Sequence, residues 1–501
     1  MTFEPKRLHV AAIIFIFLKT MKETLLLLFS LIIIFGREQF FTYLLIATVT
    51  VACSIIIYSW LSWLRFTYSL DQNELKIERG IIIRKKRTIS KHRIQSIHLS
   101  QNVIHRLFGL TQLQIETAGS DMNVDAKLTA ISMEEAHALR NQLKFDQQNQ
   151  DVTDVTDTYD YDYILDNQVP KYEASYKRLF AFGSTSGGFG VIVSILLFGI
   201  SEAELFIPDA IYQSTSAWLF AQALGTLIAL SMILFILMWL LGVLGSIIKY
   251  GDFTVVRYEK ELYITRGLWE KKQLSIPLKR IQAVGIKQNI IRLPFKLATV
   301  YLEVAGGEVD QSENMRTIIF PLIKKSEFQT FLTTMLPEYQ HTITEIHPVS
   351  RRLFYYQWCL LLLGASVVLT TTLLFVRPFW WISGLFLLVG SIYCYLDYRM
   401  AGVHLTKQQL TIQSMLLLSR ETVFLKRDRI QALELKQSLL QKRLDIATMR
   451  TSILNNFIGR HYTVSGIKQS IHNDVTDWYS YRSDYSLNQV GIDLDIESKR
   501  E

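Results

Sequence analysis

LKIERGIIIRKKRTISKHRIQSIHLSQN, from Leu75 to Asn102, decides the architecture because the chain writes it three times. Leu262 to Asn289 reads LYITRGLWEKKQLSIPLKRIQAVGIKQN, and Leu410 to Ser438 reads LTIQSMLLLSRETVFLKRDRIQALELKQS. Arg-Ile-Gln recurs as Arg93-Ile94-Gln95, Arg280-Ile281-Gln282 and Arg429-Ile430-Gln431, and a second glutamine follows each arginine by eight residues, at Gln101, Gln288 and Gln437. A three-residue match alone is weak. Three matches in register, with the same flanking hydrophobic alternation, define an internal repeat. The third copy has drifted most: it carries one extra residue before its Arg-Ile-Gln and has Ser414-Met415 where the others have Arg79-Gly80 and Arg266-Gly267.

Upstream of each copy lies a pair of apolar runs entered through one basic phrase: Lys6-Arg7-Leu8, Lys177-Arg178-Leu179 and Arg351-Arg352-Leu353. Uncharged stretches cover Phe40 to Leu64, Leu179 to Ile200, Ala217 to Ile248, Leu353 to Val376 and Phe379 to Leu396. At about 1.5 Å of rise per residue such runs cross a hydrocarbon core of about 30 Å, so they predict membrane spans. The first run, Val10 to Phe35, is interrupted by Lys19, Lys22 and Glu23. It either spans or lies partly in the interface. Lys19 and Glu23 can pair on one helix face while lysines snorkel, or the three are functional intramembrane charges. No small-residue cleavage site follows, so a removed signal peptide is not expected. Cys53, Cys359 and Cys394 sit singly in apolar segments and imply neither disulfides nor a zinc site.

Within each soluble unit, short alternating runs rich in Ile, Val, Leu and Tyr, broken by turn residues, predict antiparallel strands. Ser132 to Glu135 and Ser326 to Gln329 have the S-x-x-E/Q form of a helix start, so a terminal helix is expected in copies 1 and 2. Copy 3 shows no such box around Asn473 to Tyr481. The whole predicts an α+β membrane protein, with three transmembrane helix hairpins each followed by a small β-barrel or sandwich domain with a C-terminal helix. The expected boundaries are 1–65 hairpin 1, 66–145 domain 1, 146–176 acidic linker, 177–248 hairpin 2, 249–340 domain 2, 341–396 linker and hairpin 3, 397–485 domain 3 and 486–501 tail.

The connection Ser201 to Ser216 carries Glu202, Glu204 and Asp209 but no Lys or Arg, whereas the basic phrases lie on the side of the β domains. Orientation follows Lys/Arg near span ends, so all three domains and both termini are expected in the cytoplasm of a multi-pass cell-membrane protein. The net charge of +8 is concentrated in the β domains, at Arg84, Lys85, Lys86 and Arg87, and at Lys271 and Lys272 among others. These either dock the domains on an anionic leaflet or are lysine-rich strand edges that resist edge-to-edge pairing. Aromatics do not interleave with the basic runs and no reading motif is present, which argues against nucleic acid.

The hairpin plus β domain carrying Arg-Ile-Gln, repeated three times and opened by PKRLH from Pro5 to His9, resembles the bacterial pleckstrin-homology (PH)-like membrane proteins of the YdbT type. The resemblance covers almost the whole chain. It implies a PH-like fold for each domain, a bacterial plasma membrane, a smaller single-domain PH-like membrane companion, and a role in cell-envelope stress and resistance to membrane-active peptides. It brings no catalytic residues.

No phosphate-cradling, zinc-ligating or nucleophile-elbow motif occurs, so neither an enzyme nor a cofactor is indicated. His92, His98 and His105 are close in sequence without forming a ligand spacing. The glycines between Gly183 and Gly190 suit close helix packing. The candidate motif residues Arg93, Gln95, Arg280, Gln282, Arg429 and Gln431 admit two readings: a turn-fixing role, or binding of a headgroup or partner. The leading expectation is a non-enzymatic membrane scaffold that binds a protein partner or lipid headgroups. A transporter or lipid translocase is the rival, and it would need polar groups at membrane depth beyond Lys19, Lys22 and Glu23.

Overall fold

The computed structural model describes residues 5–35, 41–71, 73–117, 126–145, 169–186, 224–305, 316–339, 346–375, 377–416, 418–454 and 459–480, with residues 190, 194, 214 and 218. The acidic stretch after Phe145, the connections Gly36 to Gln39 and Ser201 to Ser216, most of the third apolar run and the tail after Tyr481 lie largely or wholly outside them. Two compact units divide the chain, Met1–Leu278 and Lys279–Glu501, and the division falls inside copy 2.

Among the described residues four helices are long and apolar enough to cross a membrane: Ile46–Leu64, Leu224–Tyr250, Arg352–Phe375 and Trp381–Met400. The first belongs to the longer helix Phe41–Leu64, against which the helix Ala12–Phe35 packs. That partner is not one of the four and carries the charges Lys19, Lys22 and Glu23. Tyr176–Ser184 packs on Leu224–Tyr250, where a Cβ at Gly183 would lie 3.0 Å from the Val243 Cα, so the helices approach almost backbone to backbone. Arg352–Phe375 packs on Trp381–Met400.

In the first unit, β1 (Lys6–Arg7), β2 (Thr67–Leu70), β3 (Glu74–Arg79) and β4 (Lys85–Ser90) form a four-stranded antiparallel sheet in that order. Copy 1 continues with β5 (Ile94–Gln101), β6 (Leu110–Thr117) and β7 (Ala126–Ser132); copy 2 begins with β8 (Lys171–Glu173), β9 (Thr254–Arg257), β10 (Glu261–Arg266) and β11 (Lys271–Pro277). These two sets are one seven-stranded sheet, β7-β6-β5-β11-β10-β9-β8, joined where β5 pairs with β11. The second unit repeats the arrangement. Strands β12 (Ile281–Asn289), β13 (Leu297–Val304) and β14 (Thr317–Lys324) of copy 2 meet β15 (His347–Pro348), β16 (Gly402–Leu405), β17 (Gln409–Leu416) and β18 (Ser419–Lys426) of copy 3 in the sheet β14-β13-β12-β18-β17-β16-β15. Strands β19 (Ile430–Lys436), β20 (Ile446–Ile453) and β21 (Arg460–Lys468) complete copy 3. The repeat pattern suggests separate β domains; instead each copy lends its second sheet to the first sheet of the next, because a strand edge left bare exposes unpaired N–H and C=O groups.

A helix closes each copy. Met133–Phe145 begins with Ser132 Oγ accepting from the Glu135 N–H at 3.2 Å, and buries Ala136, Leu139 and Leu143 against Leu113, Ile115 and Leu128. In copy 2 the helix is Lys325–Met335, so Ser326 lies inside it and gives no side-chain cap; burial of Phe328, Phe331 and Leu332 holds this helix in place. Copy 3 does have its helix, Gln469–Tyr479, despite lacking the box. Val475 and Trp478 are buried, and Trp478 Nε1 donates to the Lys407 carbonyl at 2.9 Å, so tertiary packing supplies what local capping does not.

The Arg-Gly turns have a backbone reason. Gly80 and Gly267 adopt φ of +114° and +101°, and a Cβ there would stand 2.0 and 2.1 Å from the carbonyl oxygens of Ile83 and Glu270. Copy 3 makes the turn with one more residue, and none of its described turn residues has positive φ. Gly80→Ala and Gly267→Ala are each expected to cost about 1–3 kcal/mol of stability through strain, read as a lowered melting temperature of the purified protein; an unchanged melting temperature would refute the conformational argument.

Candidate membrane-contact loops and inter-copy junctions

In every copy the strand leaving the second membrane helix pairs antiparallel with the next strand, through Thr67↔Glu78, Thr254↔Thr265 and Gly402↔Gln413. That register returns the following turn to the end of the membrane helix. In copy 2 the contact is direct: the Gly267 and Leu268 N–H groups donate to the Gly251 and Ile248 carbonyls at 2.7 and 2.9 Å, beside the last turn of Leu224–Tyr250. In copy 3, Gln413 Nε2 donates to the carbonyl of Met400, the last residue of its helix, at 2.6 Å.

Each of these turns carries large apolar side chains in the open. Ile82 is 95% exposed and Ile83 72% in copy 1, Trp269 62% in copy 2 and Leu418 64% in copy 3. The short turn after the fifth strand of each copy adds exposed Leu107 and Phe108, Ile291 and Phe295, and Leu439 and Leu440. Within each unit a tip of one kind touches one of the other: Arg106 Nη2 donates to the Leu268 carbonyl at 2.7 Å, and the Ile290 N–H to the Leu418 carbonyl at 3.0 Å. The sequence reading missed these tips because isolated apolar residues in a turn resemble strand ends. Their recurrence at one place in the repeat was the available signal.

The basic residues divide. Arg84, Lys85, Lys86 and Arg87 are exposed, with Lys86 paired to Glu78 at 2.8 Å. Lys271 and Lys272 are half-buried in the β5·β11 junction, opposite Gln101 and Ser100. On the first helix, Lys19 and Glu23 stand 3.9 Å apart and both are exposed, as is Lys22. Phe15 stacks on His105 of the soluble domain with ring centroids 3.8 Å apart, so Lys19 to Glu23 lie only about 6–12 Å farther along the helix than that contact.

The Arg-Ile-Gln residues take one local form three times. Arg93, Arg280 and Arg429 each end a single 3-10 turn, and the strand pairing slips between Ile94 and Ser96, Ile281 and Ala283, and Ile430 and Ala432. Gln95, Gln282 and Gln431 are thus the extra residues of β-bulges, which bend the strand and increase its twist. Arg280 Nε donates to the Ala305 carbonyl at 2.8 Å, and Gln282 Nε2 to the Arg280 carbonyl at 3.2 Å. The second glutamine makes one identical bond throughout: Gln101 to Leu110, Gln288 to Leu297 and Gln437 to Ile446, at 2.9, 3.1 and 3.0 Å.

The leucine of each basic phrase is buried: Leu8, Leu179 and Leu353. Leu8 and Leu353 sit in the cores of their own β domains, fixing the membrane helix to the domain it enters. His92, His98 and His105 do not converge. His92 is exposed, His98 Nε2 lies 3.3 Å from Glu116, and His105 lies 2.7 Å from both Asn102 and the Thr129 carbonyl.

The two junctions share a register but not a filling. In the second, the place of His98 is taken by Gly285, and the Tyr301 ring lies over it, donating its hydroxyl to Glu421. Around that ring, Arg316 pairs with Glu303 at 3.0 Å and Glu421 at 2.5 Å, and Tyr462 donates to Glu303 at 2.8 Å, all buried. Burial raises the Glu303 carboxyl above its ordinary range despite Arg316. Burial also works against the Arg316 charge, but the Glu421 and Glu303 carboxylates hold it above its ordinary value. The cluster is a closed ion-pair lock between copies 2 and 3.

A family model described as bacterial PH domain matches the chain three times, over residues 13–146, 205–339 and 359–483. Over 492 residues the chain is 31% identical to the UPF0699 transmembrane protein YdbT of Bacillus subtilis (strain 168), covering 96% of this chain and 99% of that protein.

Proposed function

Because the chain belongs to the bacterial PH domain family, with three copies of the domain in a membrane protein, we propose that it is a non-enzymatic scaffold whose PH-like domains lie on the cytoplasmic leaflet and hold anionic headgroups there. The observation that carries this reading is the apolar tip repeated at the membrane-helix end of every copy, Ile82 and Ile83, Trp269, and Leu418. A large apolar side chain gains about 1.5–3 kcal/mol on leaving water, and a tryptophan beside a span end suits the interface. The exposed run from Arg84 to Arg87 sits next to the first tip, where each basic residue near an anionic surface adds about 1 kcal/mol. The excess of Lys and Arg on the domain side of the spans supports the cytoplasmic orientation and three full hairpins. Such a scaffold suits envelope maintenance under attack by membrane-active peptides, with a smaller single-domain companion, as the family resemblance implies.

The test uses the whole protein in lipid nanodiscs, with a polarity-sensitive fluorophore on a single cysteine at position 82, 269 or 418 and brominated lipid as quencher. Strong quenching is expected at all three. Glu74, at the far end of β3 from its tip, is the reference, and tips quenched no more than that site would remove the leaflet reading.

A further inference from the structure

The repeat leaves two ends unmatched. Strands β11 and β18 are covered by β5 and β12 of the preceding copy, but among the described residues nothing pairs with the outer side of β4. Likewise β5 and β12 are covered by the following copy, and among the described residues β19 pairs only with β20. Exposure records the difference at equivalent positions. Most of β12 and β18 is buried, whereas Lys85 to Thr88 of β4 are exposed, as are Gln431, Ala432, Glu434 and Lys436 of β19.

We propose that these two edges are complementary faces of one interface, through which β4 of one molecule pairs with β19 of a second copy, in the register of the internal junctions. Both internal junctions set the second glutamine of one copy opposite a basic residue of the next: Gln101↔Lys271 and Gln288↔Arg420. In the second, Arg420 Nη2 donates to Gln288 Oε1 at 2.6 Å. Gln437 is anchored through its Nε2 as Gln288 is, and Arg84 occupies the repeat position of Arg420. The same register sets Arg87 against Glu434, a favourable pair, and Lys85 against Lys436, an unfavourable one. In the internal junction the latter place holds Glu421 opposite Lys287, so a single charge separates a tight junction from a weaker, reversible one. Edge pairing uses main-chain groups, and the side chains of β4 stay on the sheet faces. A head-to-tail contact of this kind is heterologous and builds rings or rows in the membrane plane.

The experiment uses two full-length chains with Cys53, Cys359 and Cys394 replaced, differently tagged and co-expressed, one bearing Arg84→Cys and the other Gln437→Cys. Directly opposed residues in an antiparallel pair lie about 4.5–5.5 Å apart, within disulfide range. Mild oxidation of intact membranes is expected to give a dimer carrying both tags, with severalfold more of it when Lys85→Glu is added to the first chain. A single chain with Gln101→Cys and Lys271→Cys serves as the internal control for the same chemistry. Closure of the control bridge without the two-tag dimer would overturn the proposal. So would a disulfide adduct of the Arg84→Cys chain with another protein, which would assign the edge to a foreign partner.

Discussion

Arg316→Met is expected to destabilise the Lys279–Glu501 unit by about 3–5 kcal/mol, because it leaves Glu303 and Glu421 buried with their principal counter-charge removed. Arg460, 3.7 Å from Glu303 and partly exposed, replaces little of it. The variant should melt well below the parent in detergent. Adding Glu303→Gln and Glu421→Gln should restore most of the loss, since the amides still accept from Tyr462 and Tyr301 without a charge to bury. The deficit carries a pH signature. The folded pKa of Glu303 is already above its ordinary 4.5, and losing Arg316 raises it further. A carboxyl with a raised pKa costs nothing below its unfolded pKa, destabilises increasingly between its unfolded and its folded pKa, and levels off above the folded one. The gap in melting temperature should therefore widen from acid toward neutral pH, and a gap that narrowed would contradict the charge argument.

Gly466→Val is expected to unseat the third membrane helix from its domain. Gly466 has φ of +80°, and a Cβ there would lie 2.6 Å from the Cβ of Leu353, the buried leucine that opens this helix. The Gly466 carbonyl also accepts from the Ser350 N–H at 3.0 Å. Strain of about 1–3 kcal/mol adds to about 1–3 kcal/mol of overpacking. Limited proteolysis near residues 346–353 should speed up markedly. Leu353→Ala in the same chain should recover only part of the steric share, because the Cβ at 2.6 Å stays, and none of the conformational one; full recovery would mean that φ plays no part. Copy 1 has Ala130 at this position without positive φ, so the glycine is specific to copy 3.

Much of the fold was legible. Alternation in the stretch from Leu75 gives strands because every second residue meets the core, and, among the described residues, four of the five uncharged runs give long helices because length and apolarity suffice. The terminal helix of copy 3 was not legible, since Trp478 and Val475 stabilise it through contacts distant in sequence. Nor was the β-bulge at Gln95, Gln282 and Gln431: a bulge is a relation between two strands, and the sequence displays only one at a time. Lys271 and Lys272 read equally as leaflet-facing charges or as strand-edge lysines, and that β5 lies beside them was not legible.

By itself, then, the sequence determined the repeat, the strand pattern within each copy and the membrane character of the runs between, because these depend on composition and on periodicities of a few residues. Only the tertiary structure decided that successive copies share sheets, that Arg316 locks one such junction, and which edges are left over. Strand pairing between copies depends on which edges come to lie side by side, and a residue-by-residue pattern holds no record of its neighbour across the gap.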